Sequence, residues 1–370
     1  MAAIAVASVV GGAGVYALVF RTGSEPPAAT ATASPSPTPT ARPTPTRTPS
    51  PSPSPTATPV AQATCPITGL PIDAEIDPER VGLIVQFDND VNARPQTGMS
   101  QADLLVEATV QGNVTRGAGL FYCTDPETAV GPVRSARYFN LDLWQQMHAL
   151  TVGFGGAPYS IQHFINGGMP YLNGNDGWGY FARSSARRAP YNVYVDLDRI
   201  REDLAAGQLE QFNVGIDQPR PPFAVAGDAE VPGARDVSRL TIQTASYWRY
   251  SFTYDPAAEN YTRADGTQTT VDAITGEPVA VRTVVVQRVN QRVIVGIDFG
   301  AGGNPIMHDL VGEGDGTVYV NGIAADVEWS RPDAESLTTW TYADSGKPLV
   351  LPPGRIWWQI VPTTATVTEG

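Results

Sequence analysis

Arg134 and Arg137 stand three apart in Gly131-Pro132-Val133-Arg134-Ser135-Ala136-Arg137, and Arg183, Arg187 and Arg188 form a second basic cluster. Read as a helix start, the first block sets two cations against the positive end of the macrodipole, a cost of up to about 1 kcal/mol each. Guanidinium groups gathered in this way imply either a bound carboxylate or phosphate, or buried acidic partners. Asp88, Asp90 and Glu107 are available as those partners. Asp88 and Glu107 are also the catalytic candidates. Two carboxylates in a cleft are the minimum for glycan cleavage, with Glu107 as proton donor and Asp88 stabilising charge. In so acidic a chain such a pair is easily found, so binding is the preferred reading and cleavage the alternative.

Other chemistries find no residues to carry them. The three histidines, His148, His163 and His308, form no metal-ligand spacing with each other or with cysteine, so no metal or cofactor is expected. Counted from Asn173, the twelfth position of the loop Asn173-Gly174-Asn175-Asp176-Gly177 is Ser184, where a calcium loop needs Glu. No Gly-x-Ser-x-Gly occurs, and the one lysine, Lys347, lies in the turn Asp344-Ser345-Gly346-Lys347-Pro348, which excludes P-loop chemistry. The 370 residues carry 24 basic and 37 acidic side chains, a net charge of −13. Residues 1–64 contribute three arginines and Glu25, so the remainder stands at −15. That field repels phosphate backbones, and nucleic acid is not an expected partner.

The elements that must position these residues read as an α/β (α+β) domain over 65–212 and a mainly antiparallel all-β domain over 213–362, with a tail at 363–370. Val81–Phe87 is a buried-strand run, and Leu104, Val106, Ala108 and Val110 alternate with Glu107 and Thr109. Gly112-Asn113 reads as a two-residue hairpin loop into Val114–Cys123. That register sets Arg116 opposite Thr109 and diagonal to Glu107, and predicts a Glu107–Arg116 pair facing away from the core. Ala136, Phe139, Leu143, Met147 and Leu150 recur as a buried helical stripe. A strand at Thr151–Phe154, a helix near Tyr159–Ile165 and a last helix at about Leu197–Gln208 follow. From about Pro222 onward helical periodicity gives way to β-rich runs separated by turns such as Asp265-Gly266, Asn321-Gly322 and Pro353-Gly354. Trp144, Trp178, Tyr180, Trp357 and Trp358 are stacking faces for sugars or members of the core.

Met1–Phe20 contains no charged side chain and Arg21 ends it, so residues 1–21 are expected to be a transmembrane signal anchor. Residues 22–64 form a Pro/Ser/Thr-rich linker, extended because alternate prolines remove donors and fix φ. The expected location is the cell membrane, single-pass, with the folded part extracytoplasmic. Cys65 and Cys123 are the only cysteines. An even pair outside the membrane suggests a disulfide, the other reading being two independent buried thiols.

Several blocks occur together in one order: Asp88-Asn89, Ala93-Arg94-Pro95-Gln96-Thr97-Gly98, Ser100-Gln101-Ala102-Asp103, Glu107, Thr115-Arg116, the Gly131–Arg137 block, Gly155-Gly156-Ala157-Pro158 and Ala189-Pro190-Tyr191-Asn192. With Asp272, Thr275-Gly276, Pro353-Gly354 and Trp357/Trp358 they span roughly residues 66–362, and this order resembles the YerB-like lipoproteins, a family defined by a domain of unknown function. The resemblance implies an envelope location and two domains, and it brings no activity with it. Tyr191 and Gly153 stand where family members carry histidine, and the lipid-bearing cysteine is absent, its place taken by the apolar anchor. The ligand-binding candidates are therefore Arg94, Arg116, Arg134, Ser135, Arg137, Arg183 and Asn192. The expected partner is a cell-wall glycan or an envelope protein.

Overall fold

A computed structural model describes residues 62–212, 220–227, 229–295 and 304–370. The expected anchor at 1–21 and all but the last residues of the linker at 22–64 lie outside these. Among the described residues no helix is long and apolar enough to cross a membrane.

The first half alternates strands and helices. It runs β1 (Leu83–Phe87), β2 (Leu104–Thr109), β3 (Thr115–Phe121), α1 (Phe139–Met147), β4 (Leu150–Gly153), α2 (Pro158–Asn166), β5 (Tyr171–Asn173), β6 (Phe181–Arg183), β7 (Val193–Val195) and α3 (Leu197–Ala205). Among the described residues, strands alone make up the second half. The first of them are β8 (Ala224–Val225), β9 (Arg235–Asp236), β10 (Arg239–Ala245), β11 (Trp248–Asp255), β12 (Asn260–Asp265), β13 (Gln268–Thr269), β14 (Ala280–Val281) and β15 (Thr283–Val289). There follow β16 (Gln291–Val293), β17 (Ile306–His308), β18 (Gly312–Val320), β19 (Ile323–Arg331), β20 (Thr339–Tyr342), β21 (Val350–Leu351), β22 (Ile356–Pro362) and β23 (Thr366–Glu369). A mixed α/β first region and a strand-rich second region are thus as expected.

The two regions share one sheet, of order β20-β19-β18-β15-β22-β2-β3-β1-β4-β5. β22 is the joint: it runs parallel to β15 on one side and to β2 on the other. The expected boundary near residue 213 therefore does not divide the hydrogen-bonded framework. Within the expected tail at 363–370, β23 pairs antiparallel with β10 and completes the smaller sheet β13-β12-β11-β10-β23. One face of the large sheet packs on the smaller sheet through Leu105, Phe87, Trp357, Tyr250 and Phe252. The other face is covered by α1, whose Phe139, Leu143 and Met147 meet Ile84, Val106 and Trp358. Every residue of β2 is consequently buried, on both faces.

One small device recurs three times. Cys65-Pro66-Ile67-Thr68-Gly69-Leu70-Pro71, Asp272-Ala273-Ile274-Thr275-Gly276-Glu277-Pro278 and Tyr342-Ala343-Asp344-Ser345-Gly346-Lys347-Pro348 fold alike. In each, the first residue's N–H donates to the sixth residue's carbonyl and the glycine N–H donates back to the first carbonyl. The glycines have φ of 67°, 72° and 66°, which L side chains adopt at a cost. The first residue of each copy ties the turn to another segment. Cys65 is disulfide-bonded to Cys123, with a Cα–Cα distance of 5.7 Å. Asp272 accepts from the Gly98 and Ser100 N–H groups at 3.2 and 2.9 Å, and the Tyr342 hydroxyl donates to the Glu230 carbonyl at 3.2 Å.

Candidate functional site

Glu107 and Arg116 do not pair. The β2–β3 turn takes three residues, Gln111–Asn113, instead of two, with the Val110 N–H donating to the Val114 carbonyl. Glu107 is thereby opposite Gly117, and Arg116 opposite Ala108. A one-residue shift in register moves a side chain to the other face, so the two point in opposite directions. Neither faces solvent as expected: Glu107 is 1 % exposed and Arg116 6 %.

Glu107 lies between the sheets, in a bidentate pair with Arg263 of β12 at 2.9 and 2.7 Å. Gln359 of β22 donates to the same carboxylate at 2.6 Å, Asn89 does so at 3.1 Å, and the Thr115 hydroxyl also reaches it. Burial by itself would lower the Arg263 pKa, but Glu107 and Asp265 outweigh it and hold the guanidinium above its ordinary range. Arg263 also lies 4.8 Å from the Tyr250 ring centroid. Asp265 in turn pairs with Arg94 at 2.6 Å, and Arg94 donates to the Asn89 carbonyl at 2.8 Å. Glu107 and Arg94 are thus ends of a structural chain of charges. Arg263, its centre, was not singled out from the sequence. Its inward position between Tyr261 and Asp265 on an alternating strand was the available signal.

Asp88, also 1 % exposed, pairs with Arg134 at 2.9 Å and lies 3.8 Å from Arg116. It serves a different side of the sheet from Glu107. The two carboxylates do not flank one cleft, which removes the geometry proposed for glycan cleavage.

The Gly131–Arg137 block does not open a helix. Gly131 and Val133 bridge to Thr97 and Phe87, and the Arg134 N–H donates to the Gln86 carbonyl at 2.8 Å. The block runs extended beside the C-terminal end of β1, beyond the residues that pair with β4, and α1 begins two residues after Arg137. The arginines are gathered by β-bridging, so the helix-dipole cost does not apply. Arg134, Ser135 and Arg137 face a cleft of about 450 Å³ lined also by Phe154, Gly155, Gly156, Tyr159 and Arg183. Gly155 has φ of 90°, and a Cβ there would meet Ser135 Oγ at 3.2 Å and Asn175 Nδ2 at 3.1 Å. This turn brings the start of α2 to the cleft wall.

The charges in the cleft are unevenly matched. Arg134 has Asp88, but among the described residues no carboxylate oxygen lies within 4.0 Å of the Arg137 or Arg183 guanidinium. Arg137 donates to the Ser135 and Ala136 carbonyls, both at 3.2 Å. Its pKa is lowered by burial and then by Arg134. Beneath them Arg116 donates to the Ser135 carbonyl at 3.3 Å, and burial, then Arg137, lower it to about 9. Arg183 lies 5.0 Å from the Phe154 ring centroid and donates to Asn192 Oδ1 at 2.8 Å. Asn192, 7 % exposed, is therefore a positioning residue. Arg187 donates to the Pro95 carbonyl at 2.6 Å and holds the 92–95 loop. Trp357, Trp358 and Tyr180 are core residues at 3, 0 and 6 % exposure, which removes them as stacking faces.

Cys65, Cys123 and Asp103 come close enough together to suggest a metal site. The sulfurs are joined, however, and the Asp103 carboxylate accepts from the Tyr122 and Cys123 N–H groups at 2.7 and 2.8 Å. These groups are already satisfied.

Residues 67–210 match the family described as "Protein of unknown function (DUF3048) N-terminal domain", and residues 239–358 match its C-terminal domain. The chain is 30 % identical over 310 residues to the Bacillus subtilis (strain 168) protein titled "Putative lipoprotein YerB", covering 82 % of this chain and 88 % of that protein. The crystal structure of YerB protein from Bacillus subtilis superimposes with a TM-score of 0.68 at 28 % identity, over 83 % of this chain and all of that one. Two matched domains and this shared framework place the chain in the YerB-like family of proteins of unknown function.

Proposed function

We propose that the protein is a membrane-anchored, extracytoplasmic envelope module that binds an anionic group of a wall polymer in the Arg134/Arg137/Arg183 cleft. The observation that carries this reading is the pair of cations, Arg137 and Arg183, without carboxylate partners among the described residues, in a body of net charge −15. In so acidic a chain unmatched guanidinium groups converging on one cleft favour an anion from outside. The volume, about 450 Å³, suits a sugar-sized group. The envelope location is supported by the lipoprotein title of the B. subtilis relative and by uncharged Met1–Phe20, with residues 1–21 as a single-pass anchor and residues 22–64 as spacer. Ser135 and Asn192 contribute a hydroxyl at the wall and the orientation of Arg183. Binding, without cleavage, is supported by the burial of Glu107 and Asp88 in separate ion pairs.

Calorimetric titration with N-acetylmuramic acid, a sugar bearing a carboxylate, tests the proposal. Arg183→Gln removes an exposed cation and is expected to weaken binding about tenfold with a nearly unchanged melting temperature, because a charge-assisted hydrogen bond contributes roughly 1.5–3 kcal/mol. Unaltered affinity in that variant would remove the cleft as the binding site.

A further inference from the structure

A second pocket, of about 410 Å³, opens between the 91–94 loop, the β10–β11 turn and the end of β12. Val91, Arg94, Tyr247, Trp248, Arg249 and Asp265 line it. Val91 and Tyr247 are 66 and 65 % exposed, two large apolar side chains left in water around the Trp248 ring. Scattered apolar residues on a surface are ordinary, but these converge on one hollow with a polar floor. The Arg94 charge there is matched by Asp265 at 2.6 Å, so the floor is a neutralised pair of donors and acceptors, and the exposed Arg249 adds one cation to the lining. An apolar wall beside paired donors and acceptors suits an uncharged sugar ring, with a C–H face to pack and hydroxyls at the edge that both donate and accept.

This pocket and the arginine cleft lie on opposite flanks of one short turn. Gln111, which lines the cleft, donates to the Tyr159 hydroxyl at 2.9 Å. The next residue, Gly112, accepts from the Tyr247 hydroxyl at 2.6 Å. A three-residue ridge is on the order of 10 Å across. An oligosaccharide can pass over it with one ring on each side.

We infer that the Tyr247/Trp248 pocket is a second subsite, which takes a neutral sugar ring of the same chain whose acidic sugar occupies the arginine cleft. The inference rests on the anionic reading of that cleft, and it narrows the ligand to a glycan that carries acidic and neutral sugars along one chain long enough to cross the ridge. The test compares two probes on the whole protein: N-acetylmuramic acid alone, and peptide-stripped wall glycan strands in which that sugar alternates with N-acetylglucosamine. Strands are expected to bind about tenfold tighter than the monosaccharide. Tyr247→Ala should reduce that ratio to about one, and Tyr247→Phe, which keeps the ring and loses the hydroxyl, should preserve most of it. Equal affinity for both probes, or a ratio untouched by Tyr247→Ala, overturns the second subsite, while the cleft survives if Arg183→Gln still weakens both. Binding of both probes untouched by Arg183→Gln overturns the cleft itself, and the inference with it.

Discussion

Glu107 was attractive as a catalytic acid because it interrupts an apolar strand, yet the same interruption marks a buried ion pair. Its carboxylate receives Arg263, Gln359, Asn89 and Thr115, from four separate segments of the chain. Removing one partner of a buried pair strands the other, and this costs more than the pair contributes when intact. Arg263→Ala is expected to lower stability by roughly 3–5 kcal/mol in urea denaturation. Glu107→Gln added to that variant should recover part of the loss, because no bare charge remains. A single-variant loss below about 1 kcal/mol would mean that water reaches Glu107 and that the pair is not sealed. Arg137 and Arg183 of the cleft differ in kind. Their guanidinium groups lean on backbone carbonyls and an aromatic ring, which hold them in place without neutralising them.

Among the elements, the three seven-residue turns show how a short local code is reused. Glycine supplies the left-handed corner, and proline marks the residue where the returning strand forms a single bridge. The last copy, around Ser345-Gly346, was legible as a turn from its residues alone. That all three copies are one device was not, because only the Ser/Thr-Gly-x-Pro core is common to them. The packing of β17 on α1 carries a different constraint. His308 is 4 % exposed, 5.9 Å from the Phe139 ring centroid, and burial lowers its pKa to about 4. The unfolded chain takes up a proton near pH 6.5, where the folded one does not. The folded state therefore binds fewer protons between these values, and stability falls as pH drops from about 6.5 to about 4, by roughly 3 kcal/mol. His308→Leu should flatten the melting temperature over this interval relative to the unaltered protein. Parallel curves for the two would remove His308 as the titrating group.

At the scale of the molecule, the arrangement of β22 between β15 and β2 ties the second half of the chain into the first. Without it β2 would present a buried-type edge to solvent, a template for aggregation. The body is therefore expected to unfold in urea as one cooperative unit, with tryptophan fluorescence and far-ultraviolet circular dichroism giving coincident curves. Residues 65–212 expressed alone should aggregate. Two resolved transitions, or a soluble and folded 65–212 fragment, would show that the halves are independent after all.

The sequence by itself determined what is local. The strand at Val81–Phe87, the helical stripe of Phe139, Leu143 and Met147, the all-β second half and the lone cysteine pair each follow from residue spacing or count. Arg134, Ser135 and Arg137 likewise stand together in one block, whereas Arg183 belongs to a separate basic cluster that only the fold brings to the same cleft. Only the tertiary structure decided what depends on registry and on distant pairing. One extra residue in the Gln111–Asn113 turn sent Glu107 and Arg116 to opposite faces, because side chains alternate along a strand with period two. The partner of Glu107 lies 156 positions away on β12, and no spacing rule reaches that far. The Tyr247/Trp248 pocket likewise assembles from three separate segments. Its residues become neighbours only when the two sheets close on each other.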